Sequence, residues 1–186
     1  MNHLMIDIET LGVHPGSVVL EIGMIPFDLT GKMDVPYVMR INIQNSIDLG
    51  FSFDSDTMKW WLENYPDLIK DHFMNDGYKD ARWVMNDVRQ YIDSIRNTLQ
   101  EGTRLYLWSC YPQFDFCKLK EYFKKTGVSV PWEFYEEFDY ATIVNSPLFD
   151  DDQLPQYDTK HRSLDDCRDQ IKLLCEAFSR LDSGLL

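Results

Sequence analysis

With 186 residues, 31 Asp and Glu against 18 Lys and Arg, and a formal net charge of −13, the chain is too acidic to coat long nucleic acid duplexes, whose binders carry a basic face that displaces counterions. Its 44% hydrophobic and 26% charged residues are those of an ordinary soluble globular protein, and the length suits one domain over residues 1–186 with a core that needs no staples. No stretch approaches ~18 uninterrupted apolar residues, so neither a membrane span nor a signal peptide is expected, and the setting expected is cytoplasmic.

The first element is Leu4 to Thr10. Leu4, Ile6 and Ile8 alternate with Met5, Asp7 and Glu9, so a strand here turns Asp7 and Glu9 to one face, about 7 Å apart. Two like charges that close in a core-forming strand repel and desolvate each other unless protonated, paired with a base or bound to a cation. No Lys or Arg lies in the segment, and hard oxygen ligands favour Mg²⁺ or Mn²⁺ over zinc. The plain alternative is an edge strand whose polar face meets water.

A turn at Pro15-Gly16 leads to a second strand, Val18 to Ile25, and a link over Asp28 to Gly31 leads to a third, Tyr37 to Ile43. Three strands with short links form an antiparallel meander. Ser55-Asp56-Thr57 offers N-caps for a helix carrying Met58, Trp61, Leu62 and Tyr65, and Pro66 to Phe73 forms a second short helix. A longer one spans Asp80 to Leu99, with Val84, Val88, Tyr91, Ile92, Ile95 and Leu99 on one stripe. Leu105 to Trp108 is a buried strand, and Phe116, Leu119, Tyr122 and Phe123 are the inner face of a helix reaching Lys125. Trp132 to Phe138 is strand-like, Asp139 to Asn145 a short helix, and Asp150-Asp151-Asp152 between Pro147 and Pro155 a solvated loop without EF-hand spacing. The last helix starts near Ser163 and packs Leu164, Cys167, Ile171, Leu174, Cys175, Phe178 and Leu181. The fold class is therefore α/β, a mixed sheet flanked by helices. Cys110, Cys117, Cys167 and Cys175 form no C-x-x-C pair and are expected to be reduced, buried thiols, with no zinc site.

Two further acidic groups sit at element ends. Asp115 lies where a buried strand passes through a loop into a helix, the usual address of function in α/β sheets, although an Asp there also suits the helix dipole. His161-Arg162-Ser163-Leu164-Asp165-Asp166 opens the last helix, where Ser163 and Asp166 also fit a capping box.

In combination, D-x-E on the first strand, F-D near residue 115 and H-x-x-x-x-D at the last helix resemble the DEDDh branch of the DEDD 3'-5' exonucleases. Asp7-Ile8-Glu9-Thr10-Leu11-Gly12 followed by Leu20-Glu21-Ile22-Gly23 fits that family, and Thr57 to Leu62 with its Trp60-Trp61 pair is similar to a subgroup of small bacterial exoribonucleases and a phage exodeoxyribonuclease. The resemblance implies a ribonuclease H-like sheet of five strands, the first three antiparallel. It implies two Mg²⁺ or Mn²⁺ ions on Asp7, Glu9, Asp115 and Asp166, with His161 as general base; the family spacing selects Asp166 over its neighbour Asp165. The reaction expected is hydrolysis at the 3' end of single-stranded RNA or DNA to nucleoside 5'-monophosphates.

By the same resemblance Thr10 and Leu11 would lie against the terminal nucleotide. Trp61, before Trp60, is the candidate to stack on a base, with core packing as its alternative: neighbours on a helix point about 100° apart, so one can be buried and the other presented. The 14% aromatic content would serve a homodimer as readily as a substrate. Rival readings are a phosphodiesterase restricted to short oligonucleotides and a nucleotide-binding or partner-docking module without activity.

Overall fold

The computed structural model describes residues 1–75, 78–146 and 160–183. Strand β1 (His3–Thr10) is followed by β2 (Val19–Phe27) and β3 (Tyr37–Arg40), then helices α1 (Ile43–Asp48), α2 (Ser55–Asn64), α3 (Pro66–Met74) and α4 (Ala81–Arg96). Next come β4 (Tyr106–Ser109), α5 (Pro112–Thr126), a 3₁₀ turn (Phe134–Glu136), β5 (Glu137–Asp139), α6 (Tyr140–Val144) and α7 (Ser163–Ser183). The five-stranded sheet has the order β3-β2-β1-β4-β5. β1 pairs antiparallel with β2, and β2 with β3, while β4 and β5 run parallel to β1. It is thus mixed, with the expected antiparallel trio at its start.

β1 is the central strand, which removes the edge-strand alternative for its acidic face. Alternation divides its side chains between two cores. Leu4, Ile6 and Ile8 join Ile22, Leu107, Val84 and Phe116 on the face covered by α4 and α5. Met5 joins Ile25, Trp108, Cys167, Ile171 and Leu174 on the face covered by α7. Asp7 and Glu9 continue the Met5 series, so the pleat aims both carboxylates toward the start of α7.

Several sequence expectations change. The third strand stops at Arg40, because Asn42 takes extended backbone and its side chain accepts the Asn45 N–H, starting α1 where the alternation alone continues to Ile43. Within the strand expected over Trp132–Phe138 only Glu137 and Phe138 pair; Glu133 and Glu136 cap each other reciprocally and wind the chain into a 3₁₀ turn, leaving Phe134 and Tyr135 exposed. Asp54, not Ser55 to Thr57, holds the cap position of α2, and α4 ends at Arg96. Cys167 and Cys175 are buried free thiols, whereas Cys110 and Cys117 are half-buried. The acidic loop at Asp150–Asp152 lies outside the described residues. Among the described residues no helix is long and apolar enough to cross a membrane.

One side chain ties the helical face to the start of β2. Tyr122 of α5 is fully buried, its ring stacked on Phe51 at 3.8 Å; its hydroxyl accepts the Val19 N–H at 3.0 Å and donates to Ser46 Oγ at 2.9 Å. Tyr122→Phe leaves the Val19 amide without that acceptor and should lower unfolding stability by about 1–3 kcal/mol. Urea denaturation measures it, and an unchanged midpoint contradicts the assignment.

Candidate active site

The acidic face of β1 opens into a cleft of about 730 Å³ at the carboxyl ends of the parallel strands. Asp7 and Glu9 line it, and so do Asp115, His161 and Asp166, contributed by elements far apart in the chain. Asp115 arrives because β4 runs parallel to β1 and turns directly into α5, in whose first turn it is buried at 3% exposure. Asp166 arrives on the first turn of α7, where its carboxylate accepts the Lys160 N–H at 2.8 Å. Asp165 instead pairs with Arg168 at 2.8 Å, so the helix turns Asp166 alone of the two into the cleft. The capping-box alternative fails: Ser163 is the first helical residue, and its hydroxyl donates to Glu21.

His161 takes a left-handed backbone, φ 51°, sparsely populated by residues with a Cβ. This sharp turn points the imidazole back over the strand, with Nδ1 3.9 Å from Glu9 Oε2. Edge-on rings of Trp60, Trp61 and Tyr65 surround it at 4.8, 5.7 and 4.7 Å. Glu9, His161 and Asp166 each present one donor atom within 4.8 Å of the others.

Electrostatically the cleft is under tension. Burial, and the charges of Asp166 and Glu21, push Asp7 up to about 7 against a bond from Gln170 Nε2 at 2.9 Å. Burial and then Asp7 push Glu9 and Asp115 well above the carboxylate range, and burial raises Asp166. Among the described residues no Lys or Arg forms a salt bridge with any of the four, and Asp115 Oδ2 is buried with no hydrogen-bond partner. Lys118, the nearest buried cation, spends its ammonium on the carbonyls of Val13 and Phe114 at 3.1 and 3.4 Å. A set of hard oxygens lining one cleft without a Lys or Arg salt bridge among the described residues, one of them orphaned, fits a divalent cation such as Mg²⁺ or Mn²⁺. Burial lowers the His161 pKa, which keeps the ring neutral near pH 7.

Glu21 behaves oppositely. Burial pushes it up, but its bonds from Ser163 and Arg40 outweigh that and hold it below the ordinary value.

The residues expected to meet substrate are placed unequally. Trp60 and Trp61 both line the cleft, but Trp61 is 2% exposed and donates its indole N–H to the Thr10 carbonyl at 2.9 Å, whereas Trp60, 39% exposed, presents its ring to solvent. Leu11 is fully buried and does not line the cleft: its N–H goes to Val18 and its carbonyl accepts from Asp54. Thr10 does line it, with its hydroxyl turned to the Gly12 carbonyl at 2.9 Å. Four further lining residues are not among those expected from the sequence. Gln170 stands one helical turn after Asp166 and was reachable by i, i+4 spacing. Gly12 and Val13 extend the loop after the D-x-E. Tyr111, at φ 63° before Pro112 and 59% exposed, had no sequence signal beyond its place between strand and helix.

A model of the Rv2179c-like 3'-5' exoribonuclease domain matches residues 2–178. No curated protein matches the chain. Among solved structures, S. pombe Pop2p in its Mg²⁺- and Mn²⁺-bound form aligns with a TM-score of 0.63 at 16% identity, over 98% of this chain and 85% of that one. The zinc-bound E. coli ExoI–ssDNA complex aligns with a TM-score of 0.70 at 12% identity, and exonuclease I of Methylocaldum szegediense with 0.66 at 12%. Each of these two alignments spans 97% of this chain but 41% of the exonuclease I chain. The shared architecture is the ribonuclease H-like fold.

The crowded charge has a signature in the metal-free protein. Asp7 holds its proton up to about 7 in the fold against 3.8 ordinarily, so its ionisation weakens the fold as pH rises through that window and does so fully above it. Asp7→Asn, which keeps an acceptor for Gln170, should therefore raise Tm at pH 8 in chelator, with the gain fading toward pH 4. Differential scanning fluorimetry across pH checks this, and a lower Tm at pH 8 contradicts it.

Proposed function

The chain belongs to the Rv2179c-like 3'-5' exoribonuclease family, and on that premise we propose that it is a divalent-metal-dependent 3'-5' exonuclease. It hydrolyses the terminal phosphodiester of single-stranded nucleic acid and releases nucleoside 5'-monophosphates. The observation that carries this reading is the convergence of Asp7, Glu9, Asp115 and Asp166, from three separated elements, in one cleft with His161 at its side. Residues 1–186 act as one catalytic unit, since β1 and α7, near opposite ends of the chain, both supply carboxylates.

The four carboxylates are the proposed holders of two ions, Mg²⁺ or Mn²⁺, which when bound supply Lewis acidity toward the attacking water and the departing oxygen. His161 accepts the proton of the attacking water. Its Nδ1 faces Glu9, which leaves Nε2 as the accepting atom, and its neutral ground state is the competent one. The surrounding aromatic rings limit the orientations the imidazole can take and keep water from its faces. Trp60 offers a base a stacking surface, and Thr10 with the backbone of Gly12 and Val13 flanks the terminal sugar. The family favours RNA; the acidic surface favours a grip on a few terminal nucleotides over tracking along a polymer.

With 5'-labelled single-stranded RNA and DNA, Mn²⁺ should produce a ladder shortening from the 3' end, and chelator should stop it. Cleavage of short oligomers with longer strands left intact would instead favour the oligonucleotide-restricted phosphodiesterase. No cleavage at any length would leave the non-catalytic module. His161→Ala should lose about 10²–10⁴-fold in kcat while binding Mn²⁺ as the wild type does. Wild-type turnover in that variant removes His161 from the chemistry. Trp60→Ala should raise KM without lowering Tm, whereas Trp61→Ala should lower Tm; the reverse pattern would return the stacking role to Trp61.

A further inference from the structure

A fifth carboxylate stands beside the four, and its surroundings give it different work. Glu21 of β2 is the cross-strand partner of Glu9 and is 7% exposed, yet it does not line the cleft. Its Oε1 accepts the Ser163 hydroxyl at 2.6 Å and the Ser163 N–H at 3.3 Å, and its Oε2 accepts Arg40 Nε–H at 2.7 Å. Arg40 is itself held by Asp71 at 2.6 Å and the Tyr78 hydroxyl at 2.5 Å. Three donors thus occupy Glu21, whereas Asp115 retains a bare oxygen.

Ser163 is fully buried and begins α7, two residues after His161 and three before Asp166. Its backbone lies directly on the sheet at Gly23: a Cβ there would come within 2.8 Å of the Ser163 carbonyl carbon and 2.6 Å of its hydroxyl. One turn further on, the Cys167 thiol faces the Gly23 carbonyl at 3.6 Å. The height of the helix start above the sheet is therefore set by two residues of β2. Carboxylate bonds to a helix-terminal N–H and to a guanidinium are charge-assisted and directional, so they hold the turn in register as well as in place.

We propose that Glu21 is a positioning residue, clamping Ser163 so that His161 and Asp166 are delivered to the cleft at a fixed height above Glu9. This rests on the nuclease reading for its consequence in turnover, while its consequence in cation binding stands apart from it. Glu21 does not line the cleft, and its bonds go to Ser163 and Arg40. It acts through Ser163, as second-layer partners of metal ligands do, whose loss typically weakens metal binding or activity by about 10–100-fold.

The test compares Glu21→Ala, Glu21→Gln and Ser163→Ala with the wild type, using Mn²⁺ titration calorimetry without substrate, then kcat and KM below the melting temperature of every variant. Glu21→Ala should weaken Mn²⁺ binding and lower kcat by about tenfold or more each, with KM within about twofold. Glu21→Gln, which restores an acceptor for Ser163, should recover most of both. Should Glu21→Ala fail to fold, Ser163→Ala carries the same test, removing one hydroxyl and lowering Mn²⁺ affinity and kcat in the same direction. Variants that are less stable but bind Mn²⁺ and turn over as the wild type does would overturn the proposal and leave Glu21 a structural residue. If the wild type binds Mn²⁺ and cleaves nothing, the nuclease reading fails, and the Mn²⁺ affinities still decide the role of Glu21.

Discussion

The structure depends on buried acidic groups that its scaffold holds together. Four carboxylates face one cleft with no Lys or Arg salt bridge to any of them among the described residues, and burial first, then for Asp7, Glu9 and Asp115 the charge of a neighbouring carboxylate, opposes their ionisation. Such a group cannot hold itself together. It is held because β1, the central strand, packs its even-numbered side chains into one hydrophobic core and Met5 into another, so that Asp7 and Glu9 have no freedom to turn away. Asp115 and Asp166 are delivered from opposite faces of the sheet by α5 and α7, each anchored by its own buried stripe. The stability of both cores is thus spent in part on a site that works against it, a pattern expected of a functional centre and not of a structural one.

The second constraint is the seat of the imidazole. His161 sits on a left-handed residue just before α7, enclosed by three aromatic rings and flanked by Glu9. Burial favours its neutral form, and the adjoining carboxylates do not reverse that preference. The same helix start that carries Asp166 therefore also carries the proposed base, so on the proposed reading the geometry of one turn of backbone would govern ion holding and proton transfer together.

Much of this was legible in the residues because period and polarity conflict there. Asp7 and Glu9 interrupt an apolar alternation, and only a tertiary compensation justifies that; Asp115 and Asp166 sit at helix starts, where side chains reach a sheet edge. Less legible were features set by contacts across the fold. The phase of α2, which buries Trp61 and presents Trp60, follows from an indole bond to the Thr10 carbonyl 51 positions away. Leu11 looked available beside Thr10, but its backbone is consumed by Val18 and Asp54. The third strand yields to α1 because Asn42 caps a helix that alternation cannot announce, and the aromatic run at Trp132 bends under a reciprocal Glu cap. Glu21 was visible as part of Leu20-Glu21-Ile22-Gly23, while its partner Ser163 lies 142 positions on.

On the proposed reading, an acidic exterior around a site for polyanions is coherent because the cations would confine positive charge to the reacting phosphate. Affinity would then concentrate on the strand end that reaches the cleft and not on the polymer beside it. The most direct measurement of the central claim is an anomalous difference map from crystals equilibrated with Mn²⁺. The account predicts two peaks among the carboxylate oxygens of Asp7, Glu9, Asp115 and Asp166; a map from Mn²⁺-saturated protein with no density between those side chains would contradict it.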